Sequence, residues 1–142
     1  MQGTLRKLGT AIAIGCTGGM LAYAGAVSAE SVTLSGANEV PPVTTQASGT
    51  GTVTVNPDKT VTVDISVSGM TATAAHIHEG AAGANGPVIV PFTKSGDNKF
   101  TAPAGAKLTD AQYAAYKKGD LYVNVHSAAH PGGEIRAQLK GQ

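Results

Sequence analysis

The chain has 142 residues, of which only 13% are charged, with ten Lys and Arg against nine Asp and Glu, a single Cys and no Trp. A formal net charge of +1 with no block of like charges excludes the electrostatic footprint that captures nucleic acid or anionic lipid. The length suits one domain with a core of its own, and there is no repeat at solenoid spacing.

In chain order, the first feature is a leader. Arg6 and Lys7 precede a stretch from Leu8 to Ala26 without any Asp, Glu, Lys or Arg, and the small residues Val27-Ser28-Ala29 close it. This pattern predicts a signal peptide over residues 1–29, removed on export, and a mature domain over 30–142 with no membrane span. The Gly, Ala and Thr content of the run favours removal over anchoring. Ala13-Ile14-Gly15-Cys16 loosely resembles a lipoprotein processing site, but the residues after Cys16 stay apolar where a tether would be a polar linker. A periplasmic or secreted protein is therefore preferred over one lipid-anchored through Cys16. Because Cys16 lies in the leader, the mature domain can form no disulfide and offers no thiolate to a metal.

Strands are predicted at Ser31 to Ser35, then on both sides of Asn56-Pro57-Asp58-Lys59, where Val53 and Val55 alternate in phase with Val61, Val63, Ile65 and Val67. Pro57 and Asp58 supply the turn between them. Further strands are predicted at Thr73 to His78, Val88 to Phe92, Asp120 to His126 and Glu134 to Lys140. One helix interrupts them: Thr109 and Gln112 fit a capping box, Leu108 and Tyr113 a hydrophobic staple, Lys117 and Lys118 the last turn, and Gly119 the stop. Seven or so short strands separated by Gly, Pro and Asn predict an all-β fold, an antiparallel Greek-key-like β-sandwich with one short helix.

All four histidines fall in two segments, Ala75-His76-Ile77-His78-Glu79 and Val125-His126-Ser127-Ala128-Ala129-His130. Strand parity points Ile77 to one face and His76 and His78 to the other; Leu121, Val123 and Val125 point inward, leaving Tyr122, Asn124 and His126 on the opposite face. An isolated outward histidine is ordinarily just solvated, but a His-x-His pair plus a third histidine of matching parity predicts a metal site. Same-face residues lie about 6 to 7 Å apart and ligand nitrogens about 2 Å from an ion, so the side chains must lean together on a twisted sheet. His130 precedes Pro131-Gly132-Gly133, which reads as a loop, so it is a fourth ligand, a neighbour of the ligands or a turn residue. Glu79 either supports the metal ligands from beside them or is a strand-end charge, and Asn124 shares the face of His126. Glu134 and Arg136 alternate with Ile135 and Ala137, which places both on a solvated face as a surface ion pair; alternatively, Arg136 borders the metal and attracts a small anion. Neutral imidazoles without thiolate suit Cu(II) or Zn(II), and affinity order favours copper over zinc.

Other chemistries lack support. The stretch Gly80 to Pro87 has no Gly-Lys-Ser/Thr ending, no Gly-x-Ser-x-Gly elbow is present, and the carboxylates are scattered.

Four segments in order, Leu34-Ser35-Gly36-Ala37-Asn38-Glu39-Val40-Pro41-Pro42, Ala75-His76-Ile77-His78-Glu79-Gly80, Tyr122-Val123-Asn124-Val125-His126 and Pro131-Gly132-Gly133-Glu134-Ile135-Arg136, resemble the CHRD domain family, over about Ser31 to Leu139. The resemblance implies an extracellular all-β domain. A narrower likeness, confined to the His-x-His-Glu segment, is to copper-zinc superoxide dismutase, a Greek-key sandwich; this chain lacks its disulfide and a recognisable zinc subsite. The reading that follows is an exported copper-binding protein using His76, His78 and His126, with His130 as a further ligand candidate, for copper storage, delivery or protection. The alternatives are a superoxide dismutase-like copper redox enzyme, or a metal-free module that recognises another extracellular or periplasmic protein.

Overall fold

The computed structural model describes residues 29–142; the leader and Cys16 lie outside the described residues. The alternating apolar positions dictate its largest hairpin. Strand β2 (Ser48–Val55) pairs antiparallel with β3 (Val61–Ser68) in a register that sets Val53 opposite Val63 and Val55 opposite Val61. All of the in-phase Val and Ile residues of this hairpin are buried. Its turn is held by the Asp58 carboxylate, which accepts from the Thr60 amide at 3.0 Å and the Thr60 hydroxyl at 2.6 Å, while Lys59 takes a φ of 72°.

Strand β1 (Glu30–Ser35) continues this meander on the other edge of β2. The remaining strands are β4 (Ala72–Glu79), β5 (Val88–Pro91), β6 (Thr93–Gly96), β7 (Lys99–Thr101), β8 (Leu121–Ser127) and β9 (Ile135–Gln138). Together they form one antiparallel sheet in the order β5-β4-β8-β9-β1-β2-β3-β7-β6. Its two terminal strands, β5 and β6, are joined in the chain by Phe92 alone, so the sheet curls until it nearly closes on itself. Asn98 stitches the seam: its backbone carbonyl accepts from the Val67 amide at 2.9 Å, its side-chain oxygen from the Ala72 amide at 3.0 Å, and its side-chain nitrogen donates to Met70 O at 2.8 Å. The fold is thus all-β, as the turn spacing predicts. The β6–β7 hairpin is an addition: β6 is four exposed residues without alternation, and so carries no periodic signal.

The core fills the inside of the curl with Leu34, Ile65, Ile77, Phe100, Val123 and Ile135, all at or below 1% exposure. Helix α1 (Asp110–Lys118) forms on its own end signals. The Thr109 hydroxyl accepts from the Gln112 amide at 3.1 Å, the Gln112 side chain accepts from the Thr109 amide at 2.9 Å, and Gly119 ends the helix in the left-handed conformation at φ 80°. Ala115 and Tyr116 are its buried residues.

One expectation is corrected. Glu134 and Arg136 do not sit on a solvated face; they are 5% and 4% exposed, and Tyr122 and Asn124, on the same face, are 2% and 1% exposed. Parity correctly turns these side chains away from the apolar core, but two loops fold over that second face. From the segment after β1, Glu39 reaches Arg136 and the Thr45 hydroxyl donates to Glu134 Oε2 at 2.8 Å; from the segment after β4, Ala84 O and Asn85 Oδ1 accept from Arg136. Strands β8 and β9 are consequently covered on both sides, apolar inside and polar outside.

Candidate metal centre

The register of β4 on β8 builds the centre. His76 stands opposite Asn124, His78 opposite Tyr122 and Ala74 opposite His126, so the three imidazoles occupy one corner of the polar face. One ring nitrogen from each of His76, His78 and His126 lies within 4.8 Å of the others. His76 Nδ1 and His126 Nε2 are 3.0 Å apart. The ring centroids of His76 are 5.5 Å from those of His78 and 4.8 Å from those of His126.

Hydrogen bonds decide which nitrogens face inward. His78 Nδ1 lies 2.9 Å from Gly86 O and His126 Nδ1 lies 3.0 Å from Pro131 O; a carbonyl only accepts, so both rings carry their proton on Nδ1 when neutral. The Nε2 lone pairs of both rings are thereby turned to the centre, where that of His126 accepts from His76 Nδ1. His78 Nε2 is buried without any hydrogen-bond partner. A lone pair removed from water with nothing to accept from is costly, and a cation is the partner that restores it.

Burial acts in the same direction on charge. His78 is only 8% exposed, and desolvation, with smaller contributions from His126 and Arg136, holds its imidazole below the ordinary histidine range despite the Gly86 hydrogen bond. His76 is lowered to about 4, first by desolvation and then by the neighbouring rings of His126 and His78. Both imidazoles are therefore neutral at pH 7.

Around the rings lies a buried polar layer. Tyr122 stacks on His78 with ring centroids 4.9 Å apart and planes 4° from parallel, and the Arg136 guanidinium sits 4.0 Å from the centroid of the same tyrosine ring. Arg136 pairs with Glu39 at 3.0 Å, both groups being almost fully buried, and donates to Ala84 O at 2.9 Å and Asn85 Oδ1 at 2.6 Å. Asn124 donates to Glu39 Oε1 and to Ile135 O. Glu134 accepts from the Ser127 hydroxyl at 2.6 Å.

Of the residues singled out from sequence, His76, His78 and His126 come together. His130 lies outside that trio in the turn after β8, where its amide donates to Ser127 Oγ at 3.1 Å and its carbonyl accepts from the Gly133 amide at 3.0 Å. Glu79 ends β4, half-buried, with its amide donating to Pro87 O at 3.0 Å. Asn124 and Arg136 belong to the polar layer, and the charge of Arg136 is balanced by Glu39. Glu39, Tyr122, Asn85 and Gly86 were not assigned from sequence. Gly86 had a signal only in hindsight: a Cβ there would lie 1.6 Å from Glu79 O, so the loop closes on the strand end only with glycine.

The CHRD domain family matches residues 31–139. The chain belongs to the CHRD domain family. No curated protein and no solved structure matches it. CHRD domains are generally extracellular modules. Among the described residues, no helix of this CHRD domain is long and apolar enough to cross a membrane. The matched span includes the His-x-His pair, His126 and the Glu39–Arg136 pair, so the trio and the polar layer both lie inside the CHRD domain itself.

Proposed function

We propose that this CHRD domain is an exported copper-binding protein that holds one ion through His76, His78 and His126 and serves copper storage, delivery or protection outside the cytoplasm. The observation that carries the reading is the buried, unpartnered Nε2 of His78 beside two further imidazole nitrogens within 4.8 Å. An ion bound at about 2.0–2.1 Å needs its ligand nitrogens roughly 3 to 4 Å apart, so a trio whose nitrogens lie within 4.8 Å of one another has to contract by about 2 Å at most. Three imidazoles and no thiolate favour copper by affinity order, with zinc as the competitor. The ion is borderline-soft, and the carbonyl-bound Nδ1–H groups of His78 and His126 keep both rings in the ligating tautomer.

Titration of the mature protein with Cu(II) and with Zn(II), followed by metal analysis after gel filtration, tests the reading. One tightly held copper per chain is expected, lost in His76→Ala/His78→Ala while the far-ultraviolet circular dichroism is retained. Unchanged copper stoichiometry in that double variant overturns the ligand assignment. A superoxide assay on the copper-loaded protein separates a carrier from a redox enzyme on the same ligands: a carrier gives no rate above that of the metal-free domain.

A further inference from the structure

The loop between β4 and β5 meets the centre through Gly86 O, which lies 2.9 Å from His78 Nδ1, and is tied to the rest of the molecule through its neighbours. Ala84 O and Asn85 Oδ1 both accept from Arg136, and the Asn85 side-chain nitrogen donates to Val40 O at 2.9 Å. The Gly86 amide donates to the Tyr122 hydroxyl at 3.0 Å, and Tyr122 is the residue whose ring stacks on His78. Arg136 is held in turn by Glu39. Every donor group of the guanidinium for which a contact exists is thus spent on the two loops that cover the polar face.

We propose that Arg136, with Asn85, is a positioning device for the metal ligand His78: it fixes the 80–87 loop so that Gly86 O holds the Nδ1 proton and commits Nε2 to the ion. The proposal rests on the copper-binding reading above. Without the clasp, Gly86 O leaves His78 Nδ1, the ring loses its fixed orientation, and the fraction that carries its proton on Nε2 presents an N–H where the ion needs a lone pair. Arg136 touches no ligand nitrogen; it reaches His78 through the loop and through the Tyr122 ring, which contacts both the guanidinium and His78 and whose hydroxyl also holds Gly86. Lysine at this place keeps the charge beside Glu39 but cannot make the fork to Ala84 and Asn85.

The test uses two variants, Arg136→Lys and Asn85→Ala, the second being an exposed loop residue whose truncation leaves the core untouched. In the metal-free protein, nitrogen-15 chemical shifts of the imidazoles report the tautomer directly. Wild type is expected to show His78 as the Nδ1–H form, and both variants a mixture, while the tautomer of His126, which is fixed by Pro131 O, does not change. Copper affinity is expected to fall about 10- to 100-fold in both variants, the range usual for losing a group that orients a ligand. Wild-type tautomer ratios and wild-type copper affinity in both variants overturn the clasp while leaving the copper site standing. A wild-type protein that binds neither copper nor zinc overturns the copper reading and the proposal with it. A purely structural role for Arg136 lowers thermal stability without moving the His78 tautomer, and that result also overturns the proposal.

Discussion

Glu39 and Arg136 face each other at 3.0 Å with side chains 3% and 4% exposed, so neither charge has recourse to water if the other is removed. Burying two charges is expensive and their attraction does little more than offset it, but an orphaned one costs the whole penalty. Glu39→Ala is therefore expected to destabilise the domain by about 3–5 kcal/mol, read as a lower urea midpoint at unchanged slope. A change below about 1 kcal/mol would show that the loops open and hydrate Arg136 at once. The histidines set the response to acid. His76 titrates near 4 in the folded chain against 6.5 for an ordinary histidine, and His78 is displaced in the same direction. Between these values the unfolded chain binds protons that the folded chain refuses, so the stability contributed by His76 is whole above 6.5 and is lost as pH falls toward 4. The thermal midpoint of the metal-free domain is expected to drop from pH 7 to pH 5 more steeply in wild type than in His76→Ala. Parallel slopes would mean that His76 is hydrated in solution. The same displacement keeps the lone pairs of these two rings free below the ordinary imidazole range.

Elements differ in how openly the sequence announces them. The β2–β3 hairpin and helix α1 were legible because their signals are local: Val53 to Val67 alternate across an Asn-Pro-Asp-Lys turn, and Thr109, Gln112 and Gly119 mark the helix ends. Capping is testable at its own scale. Thr109→Ala removes the acceptor of the Gln112 amide and is expected to cost about 1 kcal/mol with copper stoichiometry unchanged, since α1 supplies none of the three imidazoles. A loss of copper in that variant would tie the helix to the site. The centre was half legible. Parity alone brings His76, His78 and His126 to one face, because all three sit on strands. Glu39, Asn85 and Gly86 escape because they sit on loops, where no period relates residue number to direction, and the burial of Tyr122 and Arg136 escapes because it is imposed by those loops. The turn after β8 carries the same kind of constraint: Gly133 has a φ of 124°, and a Cβ there would lie 2.5 Å from the Asn124 side chain. Gly133→Ala is expected to displace Asn124 from Glu39 and lower the thermal midpoint; an unshifted midpoint would show that the turn repacks freely.

At the scale of the whole molecule, the sheet is closed by pairing everywhere except at the seam between β5 and β6, and the imidazole trio lies on β4 and β8, the two strands that lead from that seam into the sheet. An ion shared by these strands cross-links residues 50 positions apart in sequence, His76 and His126, in a state that exists only when β4 and β8 are paired. Binding to the folded chain alone must then stabilise it by mass action: at a free copper concentration 100 times the dissociation constant the gain is about 2.7 kcal/mol. For a domain of this size that corresponds to a rise in thermal midpoint on the order of 10 °C. The unfolded chain retains all four histidines, and any copper held by them trims the gain. Calorimetric scans of the mature domain with and without one equivalent of copper are therefore expected to show the upward shift in wild type, to lose it in His76→Ala/His78→Ala and to keep it in Thr109→Ala. An equal shift in the double histidine variant would mean that the ion rests on surface groups elsewhere, and no shift in any variant would mean that the three rings bind it no more tightly folded than unfolded.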